Sequence, residues 1–134
     1  MTKHSVKVSI LILLGLFIIG CRTLSPVYNV ESATIMPASG TEVGMDNIKT
    51  AITQAGSRLG WTMKPAGDGH LVATLFVRQH MAQVDIKFDS KSYSIQYNDS
   101  QNLQYNDGDG SIHPNYNKWV QRLQRNIDAR LATL

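Results

Sequence analysis

Apolar and polar positions along the chain follow two periods, and the longer one predicts two helices. From residue 44 to residue 59 apolar side chains recur every three or four positions, the spacing of one helical face. They are Met45, Ile48, Ile52, Ala55 and Leu59. Gly60 follows where a left-handed C-terminal cap belongs. We therefore predict a helix over about residues 44–59.

The second predicted helix begins at His113-Pro114, because proline is well tolerated at the first helical position. Its apolar stripe recurs at helical spacing and consists of Tyr116, Trp119, Leu123, Ile127 and Leu131. Arg122, Arg125 and Arg130 lie off that stripe. We interpret these arginines as a solvated helix face in preference to a site for phosphate or lipid headgroups.

The shorter period, strict alternation, predicts the strands. A first strand is expected at residues 27–35, a short one at 61–64 and a more fully buried one at 71–78. Two further strands are marked by apolar residues at alternate positions, Val84, Ile86 and Phe88 in one and Tyr93, Ile95 and Tyr97 in the other.

The element order is strand, helix, three or four strands, helix. Strands joined by short turns pair as antiparallel neighbours, and each helix has one apolar stripe to bury. We therefore predict an α+β fold, a two-layer sandwich in which an antiparallel sheet of four to five strands has both helices packed on one face.

The N-terminal segment has a different pattern. Lys3 and Lys7 precede an apolar run of 13 residues from Val8 to Gly20, which fits a signal peptide and is short of the ~20 residues needed to span a bilayer. The run ends in Ile18-Ile19-Gly20-Cys21, which resembles the bacterial lipobox. This resemblance implies cleavage after residue 20 and attachment of lipid, including palmitate, to Cys21. The alternatives are an uncleaved anchor and a buried helix of a cytoplasmic protein.

This interpretation divides the chain into a leader at residues 1–20, a lipidated cysteine and tether at 21–26, and one domain at 27–134. Arg22 bears on sorting, because in lipoproteins of enteric-type bacteria an aspartate after the lipidated cysteine favours the inner membrane. We therefore expect a lipid-anchored protein at the outer membrane, on its periplasmic face.

Loss of the leader changes the charge and the thiol chemistry. The chain has 13 Lys+Arg and 10 Asp+Glu, and without Lys3 and Lys7 a net charge of +1 remains. We therefore expect no nucleic-acid partner, which would require a clustered basic face. Cys21 is the only cysteine, so a lipidated chain would hold together by core burial without disulfides.

The sequence contains no assembled catalytic or metal-binding pattern. His70, His80 and His113 have neither a cysteine partner nor the spacing of a zinc site, and the acidic turn at 107–110 does not match an EF-hand loop. Nucleophile elbows and phosphate-binding glycine loops are absent from it as well. We therefore predict no catalytic residues, no metal and no cofactor, hence a protein that is not an enzyme.

The most distinctive stretch is a tyrosine-rich strand with Ser100-Gln-Asn102-Leu103-Gln-Tyr105, followed by Ile112-His-Pro-Asn-Tyr-Asn-Lys-Trp-Val120. Here the chain resembles a family of small proteobacterial lipoproteins that brings no established activity. The resemblance covers about residues 45–131 and implies the compartment more than a function. The recognition residues it implies are Tyr97, Ser100, Asn102, Tyr105, His113, Tyr116, Asn117 and Trp119. We prefer a structural role for many of them, in which the tyrosines and the tryptophan anchor the helix to the sheet and Ser100 and Asn102 satisfy backbone groups in an irregular bend.

Three functions remain open. The leading hypothesis is a non-enzymatic envelope module, anchored to the membrane by its lipid, that binds or assembles another envelope protein. The alternative is binding of a glycan, a lipid headgroup or another small ligand in an aromatic groove between the last strand and the last helix. The third is a hydrolase in which His113 acts with Ser100 or Asp109.

Overall fold

The computed structural model describes residues 23–134, so that the predicted leader, Cys21 and Arg22 lie outside the described residues. In chain order the elements are β1 (Ser25–Pro26), β2 (Val30–Thr34), α1 (Met45–Arg58), β3 (Thr62–Gly67), β4 (His70–Val77), β5 (His80–Phe88), β6 (Ser92–Gln101), β7 (Ser111–Ile112) and α2 (Pro114–Leu131). Neither helix among these residues combines the length and the apolarity that a membrane span requires.

Five of the strands form one antiparallel sheet in the order β2-β6-β5-β4-β3. The predicted α+β sandwich is thereby confirmed. Alternation along the strands decides which face of the sheet is buried. In β4, Leu71, Ala73 and Leu75 are buried, whereas Thr74 between them is half-buried on the other face. The opposite face remains largely polar.

Both helices pack on the apolar face of the sheet and share one core with it. Ile48 and Ile52 of α1 and Leu123 and Ile127 of α2 are fully buried there. The last part of α2 reaches the start of β6, where the Tyr93 hydroxyl donates to Asp128 Oδ1.

Three details differ from the sequence prediction. Strand β3 runs on through Pro65 to Gly67, beyond the predicted end at residue 64, because proline is compatible with a sheet edge. A separate two-stranded ribbon pairs β1 with β7. Ser25 and Pro26, assigned above to the tether, therefore belong to the folded body, which begins before residue 27.

Gly69 sits at a close approach between two strands. Its φ is +62°, and a Cβ built on it would lie 2.4 Å from the carbonyl oxygen of Phe88. Its own carbonyl accepts a hydrogen bond of 2.8 Å from the Phe88 N–H. Only glycine combines this backbone conformation with room for the neighbouring strand.

We predict that Gly69→Ala destabilises the domain by about 2–4 kcal/mol, since left-handed strain adds to a clash with backbone that cannot move aside. Gly40→Ala is the matched control, because Gly40 has a similar φ of +68° and nothing within 4 Å of the built Cβ. The control should lose only about 1 kcal/mol. Urea unfolding measures both, and equal losses would contradict the predicted clash.

Candidate functional site

The eight residues singled out from the sequence gather at one end of the domain. This end carries the β1–β7 ribbon, the two-residue turn Arg78-Gln79 between β4 and β5, and the start of α2, and is called here the ribbon end. The rings of His80 and His113 connect these parts, with centroids 6.4 Å apart. The opposite end of β5 leads into the turn at residues 89–91, called here the far end.

Three tyrosines form a stacked cluster at the ribbon end. The rings of Tyr97 and Tyr105 stack with centroids 4.0 Å apart, and Tyr97 meets Tyr116 edge to face at 5.6 Å. The Tyr97 hydroxyl and Ser100 Oγ are hydrogen-bonded at 2.8 Å. These ring contacts lie in the region between the last strand and the last helix, for which the sequence predicts an aromatic groove.

A register shift in β6 brings Tyr97 and Ser100 together. Tyr97 pairs with Val84 and Ser100 with Ala82, and the β-bulge falls between them. Because Val84 and Ala82 both point into the core, the bulge directs Tyr97 and Ser100 toward the same side although they are three positions apart. The sequence contains both residues but no signal for the bulge.

The Tyr116 hydroxyl is the exception in this cluster. Tyr116 is fully buried, and among residues 23–134 its hydroxyl is the one buried side-chain polar atom without a hydrogen-bond partner. Burial, and then the neighbouring Tyr97 and Tyr105, raise the pKa of Tyr116 well above its usual range. Such a group costs free energy that a phenylalanine would not.

Burial also raises the pKa of Tyr93, which lies in β6 toward the far end, and here the hydrogen bond to the Asp128 carboxylate acts in the same direction. The two buried tyrosines therefore differ in one respect. The hydroxyl of Tyr93 has a partner, and that of Tyr116 has none.

His80, His113 and Trp119 make a second aromatic group at the ribbon end, with the His80 and Trp119 centroids 6.2 Å apart. His113 is the N-cap of α2, and its Nδ1 accepts the N–H of Asn115 at 3.1 Å. This cap requires an unprotonated Nδ1. The sequence interpretation of His113 as the first residue before the helix is therefore confirmed, and its capping role is added.

Asn102 holds the β4–β5 turn against the chain that follows β6. Its side-chain N–H donates to the Gln79 carbonyl at 2.6 Å, and its own carbonyl lies 2.8 Å from His80 Nδ1, which must be the donor. The backbone of Asn102 is left-handed, with φ of +56°, a conformation that asparagine tolerates better than most residues. Its structural role is evident from these contacts.

Asn117 binds the N-terminal segment to α2. Its Oδ1 accepts the N–H of Tyr28 and its Nδ2 donates to the carbonyl of Pro26, each at 2.8 Å. The amide thus completes backbone hydrogen bonds as a neighbouring strand would. Nothing in the local sequence predicts this contact, since the partners lie about 90 residues apart.

The groups required for the hydrolase interpretation are engaged locally. Ser100 Oγ is bonded to the Tyr97 hydroxyl, the Asp109 carboxylate accepts the N–H of Ser111 at 2.9 Å, and His113 Nδ1 caps α2. Hydrogen bonds from the Ser111 side chain and then from its N–H lower the pKa of Asp109, as ordinary turn contacts do. Each of these three groups therefore has a hydrogen-bond partner close to it in the sequence.

On the uncovered face of the sheet, His70 and Asp85 form a pair that the sequence analysis did not identify. His70 Nε2 lies 2.6 Å from Asp85 Oδ1, and the Asn98 side chain donates to Asp85 Oδ2 at 2.9 Å. Pairing of β4 with β5 brings them together. Among residues 23–134 no three His, Cys, Asp or Glu side chains converge as metal ligands.

One cavity of the described chain lies toward the far end. It is open, has a volume of about 420 Å³, and is lined by ten residues that include Glu31, His70, Lys87 and Tyr93. None of the eight sequence-derived recognition residues lines it. Comparisons with protein-family models, with curated proteins and with solved structures find no match for this chain.

We predict opposite effects for the same substitution at the two buried tyrosines. Tyr93→Phe should destabilise the domain by about 1–3 kcal/mol, because it leaves the Asp128 carboxylate without its donor. Tyr116→Phe should be neutral or stabilising by about 1 kcal/mol, because it removes an unpartnered buried hydroxyl. Urea unfolding near neutral pH measures both. A substantial loss in Tyr116→Phe would show that this hydroxyl has a partner.

Tyr93 and Tyr116 should also make the free energy of unfolding depend on pH in the alkaline range. A raised folded-state pKa means that the unfolded phenol, with its ordinary value near 10.0, loses its proton first. Stability from these groups is therefore fully present below about pH 10 and falls as the pH rises further, by up to about 1.4 kcal/mol per pH unit for each tyrosine. In either variant this alkaline slope should be smaller than in the wild-type chain, and an unchanged slope would contradict the assignment.

Proposed function

We propose that this protein is a lipid-anchored domain of the bacterial cell envelope, held at the outer membrane on its periplasmic face, which binds or assembles another envelope component without catalysing a reaction. The observation that carries the proposal is the position of Ile18-Ile19-Gly20-Cys21. This lipobox-like sequence ends four residues before Ser25, the first residue of β1.

The way in which the chain enters the fold supports an anchor at Cys21. Ser25 and Pro26 pair with β7, and Asn117 holds the backbone of Pro26 and Tyr28. Four extended residues, from Cys21 to Ser25, reach about 14 Å. A lipid on Cys21 would therefore hold the domain against the membrane, instead of on a long flexible tether.

A non-catalytic role is supported by the hydrogen bonds of the polar side chains at the ribbon end. Asn102 and Asn117 bind backbone, and His113 caps a helix. A role in binding then depends on the exposed surface, to which Tyr105 contributes a ring that is 38% exposed.

A second candidate is binding of a glycan, a lipid headgroup or another small ligand at the tyrosine cluster. The unpartnered hydroxyl of Tyr116 favours it, because a buried polar atom of this kind has unused hydrogen-bonding capacity. Such a ligand would have to displace the Tyr105 ring from its stack on Tyr97. The proposed recognition residues then reduce to Tyr97, Ser100, Tyr105 and Tyr116.

The anchor is tested by Cys21→Ser in the full chain. We expect the wild-type chain to incorporate labelled palmitate and to lose the mass of the leader, and Cys21→Ser to do neither, since no other cysteine is present. Ser25→Ala is the matched control and should label normally. Fractionation alone is insufficient, because an uncleaved leader can itself hold the variant in the membrane. Absence of palmitate on the wild-type chain would overturn the anchor and the localisation.

Partner binding is tested by photocrosslinking in intact cells. A photoreactive residue at Gln104, beside the exposed Tyr105, should give an adduct with an envelope protein, and one at Thr50, exposed on α1, should not. If Gln104 yields only lipid-processing and sorting machinery, the binding role is wrong. A small-ligand role predicts instead that Tyr105→Ala changes ligand binding while the adduct pattern stays empty.

A further inference from the structure

A small cavity lies between the two helices and is called here the helix cleft. It is open and has a volume of about 180 Å³. Six residues of the two helices line it: Ala55, Arg58, Asn126, Ala129, Arg130 and Thr133. At 1.5 Å per residue, Asn126 lies about 18 Å along α2 from Pro114. The helix cleft is therefore separate from the tyrosine cluster at the ribbon end.

The spacing of residues along α2 explains how the cleft is built. Asn126 and Arg130 are four positions apart, which places them on one face of the helix. That face is turned toward α1, because the Arg130 guanidinium donates a hydrogen bond to the side chain of Gln54. Ala55 and Ala129 line the cleft with only a methyl group each, so that neither helix fills it.

The charged side chains that line the helix cleft have one sign. Arg58 comes from α1 and is exposed, Arg130 comes from α2 and is half-buried, and no carboxylate is among the lining residues. Within residues 23–134 the one ion pair is that of His70 with Asp85, on the uncovered sheet face. Neither arginine is therefore paired with an acid.

The two acidic residues of the helices lie elsewhere. Asp46 is in the first turn of α1, about 18 Å along the helix from Arg58. Asp128 is two positions from Arg130, which places it on the opposite side of α2, where it accepts the hydroxyl of Tyr93. The positive charge of the cleft is thus not cancelled by the helices that carry it.

The helix dipoles account for part of this charge. Arg58 and Arg130 lie in the last turns of their helices, where each macrodipole carries about half a negative charge. The two dipoles together offset about one of the two positive charges. Leu134, whose oxygen accepts the N–H of Ser39 at 3.2 Å, is not ion-paired with either arginine. About one positive charge therefore remains for a ligand.

We propose that the helix cleft binds a phosphate group. Arginine presents a planar fork of N–H donors that matches the oxygens of phosphate. Forks from two different helices offer donors from two directions, which suits the tetrahedral oxygens of phosphate better than the two coplanar oxygens of a carboxylate. Asn126 adds a neutral donor, because its Nδ2 gives only one hydrogen bond within α2, to the Arg122 carbonyl at 2.9 Å.

The size of the cleft agrees with a small anionic group. Its volume of about 180 Å³ is below the roughly 300–1,000 Å³ of sites that enclose a drug-sized ligand. The cleft would therefore hold the phosphate of a ligand and leave the remainder of that ligand outside. The proposal does not depend on the lipid anchor, because both helices belong to the described domain.

The test measures binding of radiolabelled inorganic phosphate to the full chain in micelles of a neutral detergent, by equilibrium dialysis in about 0.1 M sodium chloride, where surface charges are screened beyond about 10 Å. We expect saturable binding of one phosphate per chain, which acetate displaces only weakly. Arg58→Gln and Arg130→Gln should each weaken binding about tenfold or more, because each removes a charge-assisted hydrogen-bond donor. Absence of saturable binding in the wild-type chain would overturn the proposal.

Arg125→Gln is the matched control. It removes the same charge from the same helix, and Arg125 is exposed and does not line the cleft. Its phosphate affinity should stay within about twofold of the wild-type value, because an exposed charge at a distance is screened. Equal weakening in all three variants would show a general effect of surface charge and would overturn the site.

A folding control accompanies these variants. Arg58 is exposed, whereas Arg130 also donates to Gln54, so Arg58→Gln is the variant that disturbs the fold least. Its urea unfolding midpoint should be nearly that of the wild-type chain while its phosphate binding is lost. Phosphate binding that survives in a folded Arg58→Gln chain would overturn the role of the cleft.

Competitors identify the source of the phosphate group. Glucose 6-phosphate represents soluble phosphorylated sugars, and phosphatidylglycerol mixed into the micelles represents lipid headgroups. Displacement of the labelled phosphate by only one of them assigns the cleft to that source. If neither displaces it, the ligand is inorganic phosphate itself.

Discussion

The structure depends on burying one face of a five-stranded sheet under two helices. The buried inward positions of the central strands are apolar, and both helices contribute their stripes to the same core. The described chain contains no cysteine, so this burial has to stabilise the domain without disulfides. The polar contacts at the ribbon end are arranged around that core and fix its connections, and they do so with asparagine and histidine side chains.

The periodicity of apolar residues in the sequence was sufficient to predict the helices and strands that form the core. Helix α1 was predicted at residues 44–59 and spans Met45–Arg58, and Pro114 begins α2 as expected. Local sequence could not predict the β1–β7 ribbon, because two-residue strands show no period and their partners are far apart along the chain. The β-bulge in β6 was missed for a related reason, since a register shift depends on the neighbouring strand.

The candidate site was predicted in its location but not in its chemistry. The motif residues do collect at one end, yet Asn117 completes a strand-like pairing, Asn102 secures a turn, and His113 caps a helix. Asparagine and histidine are also common in recognition surfaces. The hydrogen-bond partners of these three side chains show that they stabilise the fold. Tyr116 is the opposite case. The helical spacing predicts it as a core residue, and the structure leaves its buried hydroxyl without a hydrogen-bond partner. The lipid anchor remains a prediction from the sequence.

The clamp by Asn117 has a consequence for the order in which the domain can form. The N-terminal segment at Pro26 and Tyr28 obtains its partners only from Gly110 onward, close to the other end of the chain. A chain that crosses a membrane N-terminus first would thus present its opening residues long before the helix that holds them emerges. During that interval Pro26 and Tyr28 would lack these partners, and formation of α2 would then fix them in place.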